Sequence, residues 1–106
     1  MRTRRLIFHP GVEEDLADVV AYYGEIDPSL PGRFRLRFLD QVGRVELYPE
    51  SGAILFDSYR RVLLQRFPYM VVYLVREERI DVLAVLNVRR DPARIENAVS
   101  GRAARA

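Results

Sequence analysis

The stretch Tyr69-Met70-Val71-Val72-Tyr73-Leu74-Val75-Arg76-Glu77-Glu78-Arg79-Ile80-Asp81-Val82-Leu83-Ala84-Val85-Leu86-Asn87-Val88 decides the fold. Val, Leu, Ile and Tyr dominate it, as strands prefer. Tyr69 to Arg76 and Arg79 to Val88 read as consecutive strands. Glu77-Glu78 is the hairpin turn, although it lacks the usual Asn-Gly or Asp-Gly. In the first strand Met70, Val72 and Leu74 point one way, and Val71, Tyr73 and Val75 the other. Strict alternation in the second puts Ile80, Val82, Ala84 and Leu86 on one side, and Leu83 and Val85 on the other. Both faces are apolar, whereas an antiparallel sheet with one wet face alternates cleanly. This sheet needs cover on both sides.

Upstream, Tyr59 to Phe67 reads as a further strand, broken by Pro68. Arg5 to Phe8 is a short first strand, and Pro10 after it suits the first turn of a helix. Val12, Leu16, Val19, Val20 and Tyr23 form one helical stripe, with Glu14, Asp18 and Glu25 opposite. Asp27-Pro28-Ser29-Leu30-Pro31-Gly32 ends that helix and turns the chain back on itself. A second helix runs from about Pro31 to Tyr48. Phe34, Phe38, Val42 and Val45 form its main stripe. Leu36, Leu39, Gly43 and Leu47 form a second apolar side, so this helix is expected to touch two things. The reading is an α+β fold, β-α-α-β-β-β, with a helical hairpin packed on a small, mainly antiparallel sheet. The hairpin covers one sheet face. A second chain is the expected cover for the other, with the C-terminal segment as the alternative.

At 106 residues the chain has the size of one domain. Residues 1–99 are taken as that domain and 100–106 as a frayed tail. There is no Cys and a single His, which excludes disulfides, thiolate chemistry and a histidine-cluster metal site. All 17 basic residues are Arg, so Schiff-base and P-loop lysine chemistry are excluded too. No cofactor or metal is expected. The apolar runs at Met70 to Val75 and Val82 to Leu86 are far shorter than the roughly 20 residues of a spanning helix, and the expected location is the cytoplasm. Residues 1–53 carry seven Arg and nine acids, or −2, and residues 54–106 ten Arg and six acids, or +4. A basic C-terminal half suits an anionic partner surface.

The arginines are the main candidates for function. Arg60-Arg61 and Arg66 fall on the first long strand, and Arg89-Arg90 close the last. By parity Arg60 and Arg66 share a face and Arg61 takes the other. His9, before a proline, is read as a structural residue at the start of the helix. Glu13, Glu14, Asp15 and Asp18 are read as the solvated face of that helix. Tyr23 and Tyr48 are read as core, and Tyr59, Tyr69 and Tyr73 as candidates for a partner contact.

Tyr59-Arg60-Arg61-Val62-Leu63-Leu64-Gln65-Arg66-Phe67-Pro68-Tyr69 and Val82-Leu83-Ala84-Val85-Leu86-Asn87-Val88-Arg89-Arg90-Asp91-Pro92 resemble ParE-like toxins, the plasmid-stabilisation branch of the ParE/RelE superfamily. Phe8-His9-Pro10, Glu14-Asp15-Leu16, Tyr22-Tyr23, Arg33-Phe34, Phe38-Leu39 and Pro49 resemble it as well, so the likeness spans about residues 6–94. The resemblance implies the toxin of a type II toxin–antitoxin pair, covered by an extended, partly helical antitoxin tail. The antitoxin contacts expected on that basis are Leu36, Leu39, Gly43, Leu47, Tyr73, Leu83 and Val85. Within the superfamily, RelE-like members cleave mRNA on the ribosome and ParE-like members inhibit DNA gyrase. RelE-like proteins usually carry Arg after the tyrosine that is Tyr69 here; this chain has Met70. After Arg90 it has neither Tyr nor His, and Asn87 stands where the family often has His. The resemblance therefore favours a gyrase inhibitor that does no chemistry, with Arg60, Arg66, Arg89, Arg90 and Asp91 as the target-binding surface. The alternatives are a metal-independent, ribosome-dependent mRNA endonuclease, the one reading with direct nucleic-acid contact, and a non-toxic homologue that only binds antitoxin.

Overall fold

A computed structural model describes residues 3–104. The elements in chain order are β1 (Arg5–Phe8), α1 (Pro10–Ile26), α2 (Leu30–Leu47), a 3₁₀ turn at Pro49–Ser51, β2 (Ala53–Phe56), β3 (Tyr59–Leu63), β4 (Tyr69–Val75), β5 (Arg79–Asn87) and α3 (Pro92–Ala104). The five-stranded sheet has the order β1-β5-β4-β3-β2. β1 runs parallel to β5, and the other neighbours are antiparallel.

Local chemistry sets the helix ends. His9 caps α1, its Nδ1 accepting from Gly11 N at 2.9 Å, with Pro10 in the first turn. Asp27 Oδ1 accepts from Ser29 N and Ser29 Oγ, both at 2.8 Å, and closes the turn into α2. These hydrogen bonds hold the exposed Asp27 carboxyl below its ordinary pKa. The α1–α2 hairpin packs Val12, Val19, Phe34, Phe38, Val42 and Val45 on Val62, Val71, Tyr73, Ile80, Val82 and Val85 of the sheet. Tyr23, Phe34, Phe67 and Tyr69 stack around one another at one end, with Phe34 and Phe67 ring centroids 5.2 Å apart.

α3 corrects the expectation that a second chain covers the far face. Ile95 and Val99 are buried against Met70, Val72, Leu83, Ala84 and Leu86. An isolated helix of this length is marginal in water. Two buried aliphatic side chains, each contributing about 1.5–3 kcal/mol, make it stable here. α3 continues past Ser100 to Ala104, and Arg102 in its last turn is bound. Residues 105–106 lie outside the described residues.

The strict alternation expected along β5 fails at one point. The register steps from Val72↔Ala84 to Tyr73↔Val82, leaving Leu83 as an extra residue in β5. Such a bulge reverses the facing of the residues beyond it. Ile80, Val82 and Val85 therefore meet the hairpin, and Leu83, Ala84 and Leu86 meet α3. The single-residue shift gives both layers a continuous apolar floor. β1 has ended by this point, its last residue Phe8 lying opposite Val82. Side chains take up the backbone groups beyond it. Asp15 Oδ2 accepts from Val85 N at 2.9 Å, and Arg102 Nη1 donates to Leu83 O at 2.9 Å.

Candidate functional site

The target-binding arginines expected from sequence do not gather on one surface. Arg60 lies opposite Tyr73 on the hairpin side of β3. Its Nη1 donates to the carbonyl oxygens of Gly52 at 2.7 Å and Glu50 at 3.1 Å, so it holds the 3₁₀ turn in place. β3 ends at Leu63, and Arg66 sits in the following turn with φ 70°. Arg66 faces α2, in a hollow shared with Arg33, Leu36, Arg37 and Asp40, on the same side of the sheet as Arg60 but apart from it. Asp91 has a structural role: its Oδ1 accepts from Ala93 N at 3.0 Å and caps α3. Arg89 and Arg90 remain exposed in the turn between β5 and α3. Asn87 fixes that turn, accepting from Arg89 N at its Oδ1 and from Arg90 N at its carbonyl.

The residue that does join Arg90 is Arg61, which sequence parity sends to the other face. Both line a groove of about 480 Å³ between α3 and strands β2 to β4, with Leu55, Leu63, Met70 and Ile95 among its apolar walls. β3 pairs Arg61 with Val72, whose side chain lies on the α3 face. Only the sheet register brings Arg61 and Arg90 together, and no local signal in the sequence reports it.

The expected antitoxin contacts divide cleanly. Leu36, Leu39 and Leu47 are 63%, 60% and 60% exposed along the outer face of α2. A Cβ added at Gly43 among them would meet nothing within 4 Å. Tyr73, Leu83 and Val85 are instead core, at 0%, 0% and 2% exposure, and cannot meet a partner in this conformation. Tyr73 lies under the hairpin, where its hydroxyl donates to Pro49 O at 2.7 Å and accepts from Gly52 N at 3.1 Å. Burial pushes its phenol above the ordinary pKa. Leu83 is covered by α3 and Val85 by the α1–α2 hairpin. Of the other tyrosines read as partner contacts, Tyr59 packs on the α3 side and Tyr69 on the hairpin side.

Among the described residues no three His, Cys, Asp or Glu side chains come together as a metal site. No helix among them is long and apolar enough to cross a membrane. The arrangement is that of a small α+β protein with an exposed leucine face on α2 and an arginine-flanked groove beside α3.

Comparison with known proteins makes that class specific. The model of the ParE toxin of the type II toxin–antitoxin system parDE matches residues 6–92. Toxin ParE2 of Mycobacterium tuberculosis, in strains CDC 1551 and H37Rv, is 40% identical over 101 residues, covering 94% of this chain and 96% of that protein. A solved chain of the chromosomal ParDE system from P. aeruginosa shares the fold. Its TM-score is 0.71 at 18% identity, over 80% of this chain and 96% of that one. The chain belongs to the ParE toxin family of type II toxin–antitoxin systems.

Proposed function

We propose that this toxin acts in the cytoplasm by inhibiting DNA gyrase through protein–protein contact, and that its antitoxin neutralises it by laying an amphipathic segment along the outer face of α2. The observation carrying the antitoxin half is the exposed run Leu36, Leu39 and Leu47 around an unencumbered Gly43. Glycine inside a helix costs roughly 0.5–1 kcal/mol relative to alanine. Nothing inside the molecule needs Gly43 to lack a Cβ. A closely packed partner helix supplies a reason. Arg33, Arg35 and Arg44 flank the leucines on exposed positions against one exposed acid, Asp40, which favours an acidic partner.

The exposed Arg89-Arg90 pair, held in a hydrogen-bonded turn, supports the target half of the reading. Supercoiling by purified gyrase, with toxin freed of antitoxin, is the test. Inhibition with accumulated cleavage complexes is expected, and Arg89→Ala/Arg90→Ala is expected to relieve it. Full supercoiling activity, with mRNA cut in the ribosomal A site, would replace gyrase with the ribosome.

A further inference from the structure

We propose that the groove beside α3 is a second docking site for the antitoxin, one that takes an apolar side chain with a neighbouring carboxylate and covers Arg90. The inference rests on the reading that antitoxin occupies the α2 face. The two surfaces lie on opposite sides of the sheet, so one antitoxin chain serves both by passing around an edge.

The groove has the chemistry for such an occupant. Leu55, Leu63, Met70 and Ile95 give it apolar walls, and Leu63 is 52% exposed at its rim. Arg61 and Arg90 line it, with Glu96 as the one acid, leaving the lining net positive. Neither Arg61 nor Arg90 has an ion-pair or side-chain hydrogen-bond partner among the described residues. In contrast, Arg60, Arg76, Arg79 and Arg102 are all engaged. An unpaired guanidinium at an apolar wall is suited to a carboxylate, which it binds through two parallel hydrogen bonds. A phosphate would satisfy the arginines but leave the apolar walls in water. An acidic peptide with an apolar anchor satisfies both.

Exposed apolar residues follow α2 in the chain on the way to the groove. Leu47 and Tyr48 at the end of α2 are exposed, as is Ile54 on β2. Ile54 lies opposite Arg60 on the hairpin side, and the next residue, Leu55, lines the groove. β2 is the outermost strand of the sheet among the described residues. An extended segment leaving α2 therefore crosses an apolar edge with free backbone groups before reaching the groove. Its arrival covers Arg90, so neutralisation masks part of the proposed target surface directly.

The test uses the complex of this chain with its co-expressed, full-length cognate antitoxin. A photo-crosslinking residue replaces Leu63 at the groove in one sample and Leu39 on α2 in another. Both are expected to capture antitoxin, the Leu63 sample at a peptide holding Asp or Glu beside a large apolar residue. Arg61→Ala/Arg90→Ala is expected to weaken antitoxin binding at least tenfold without moving the urea midpoint of the toxin. Capture from Leu39 but not from Leu63, or unchanged affinity of the double variant, overturns the groove and leaves the α2 reading standing. Capture from neither position removes both.

Discussion

Arg102 and Asp15, 87 positions apart in the chain, form a two-pronged ion pair, with Nη1–Oδ2 at 2.7 Å and Nη2–Oδ1 at 2.9 Å. Asp15 belongs to α1 and Arg102 to α3, so the pair straps the two outer layers together. It also satisfies Val85 N and Leu83 O at the bulge in β5. Gly11 makes room for it: a Cβ there would lie 2.5 Å from Arg102 Cζ.

Removing one partner strands the other together with a backbone group. Arg102→Ala is therefore expected to cost about 2–3 kcal/mol, measured by urea unfolding. Gly11→Ala, which displaces the guanidinium without deleting it, should cost less. A loss below about 0.5 kcal/mol for Arg102→Ala would show that the strap adds nothing.

Stability should fall in alkali because of Tyr73. Burial raises its native pKa, so the unfolded phenol loses its proton first. The contribution is whole below about pH 10, the unfolded value, and is lost as pH rises through the raised native value. Burial raises the Tyr23 phenol in the same direction. Hydrogen bonding to Asp15 raises the pKa of Arg102, so the strap keeps its cation through this range. Tyr73→Phe should cost about 1–2 kcal/mol at neutral pH through its lost hydrogen bonds and reduce the alkaline decline. An unchanged slope of stability between about pH 9.5 and 11 would contradict this.

Gly43→Ala separates folding from binding. Alanine meets nothing within 4 Å, so the free toxin should gain about 0.5–1 kcal/mol. Its affinity for antitoxin should fall, and Gly43→Leu should lower it further. A thermal melt and a binding titration on the same variants check both. A gain in stability with full binding would place the antitoxin elsewhere.

Arg60 and Arg90 should give opposite phenotypes. Arg60 bonds two carbonyl oxygens of the turn before β2, so Arg60→Ala should cost about 1–2 kcal/mol and retain gyrase inhibition. Arg90→Ala should leave stability within about 0.5 kcal/mol, as exposed substitutions do, and lose inhibition. Supercoiling assays alongside unfolding curves distinguish them.

Several features were legible in the sequence because their causes are local. Helical spacing at Val12, Val19, Phe34, Phe38, Val42 and Val45 identified the side of the hairpin that is buried. The Asp27–Leu30 turn and the Tyr69 to Asn87 strand pair came from turn chemistry and composition. Leu36, Leu39, Gly43 and Leu47 stood out because a helix with two apolar sides has only one core to face. α3 carried a readable signal that was missed: Asp91-Pro92 as a cap, then Ile95, Val99 and Ala103 at four-residue spacing.

Long-range pairing decided the rest. The extra residue at Leu83 reverses the facing of Val85, and no local propensity marks it, since every residue there is apolar. Side-chain parity holds within an unbulged strand but does not carry from one strand to the next, so Tyr59 and Tyr73 lie on opposite faces. The grouping of Arg61 with Arg90, and the strap from Asp15 to Arg102, join residues far apart in the chain. Period and composition determine which face of an element is apolar. Sheet register, which depends on all the strands at once, decides which charged side chains meet.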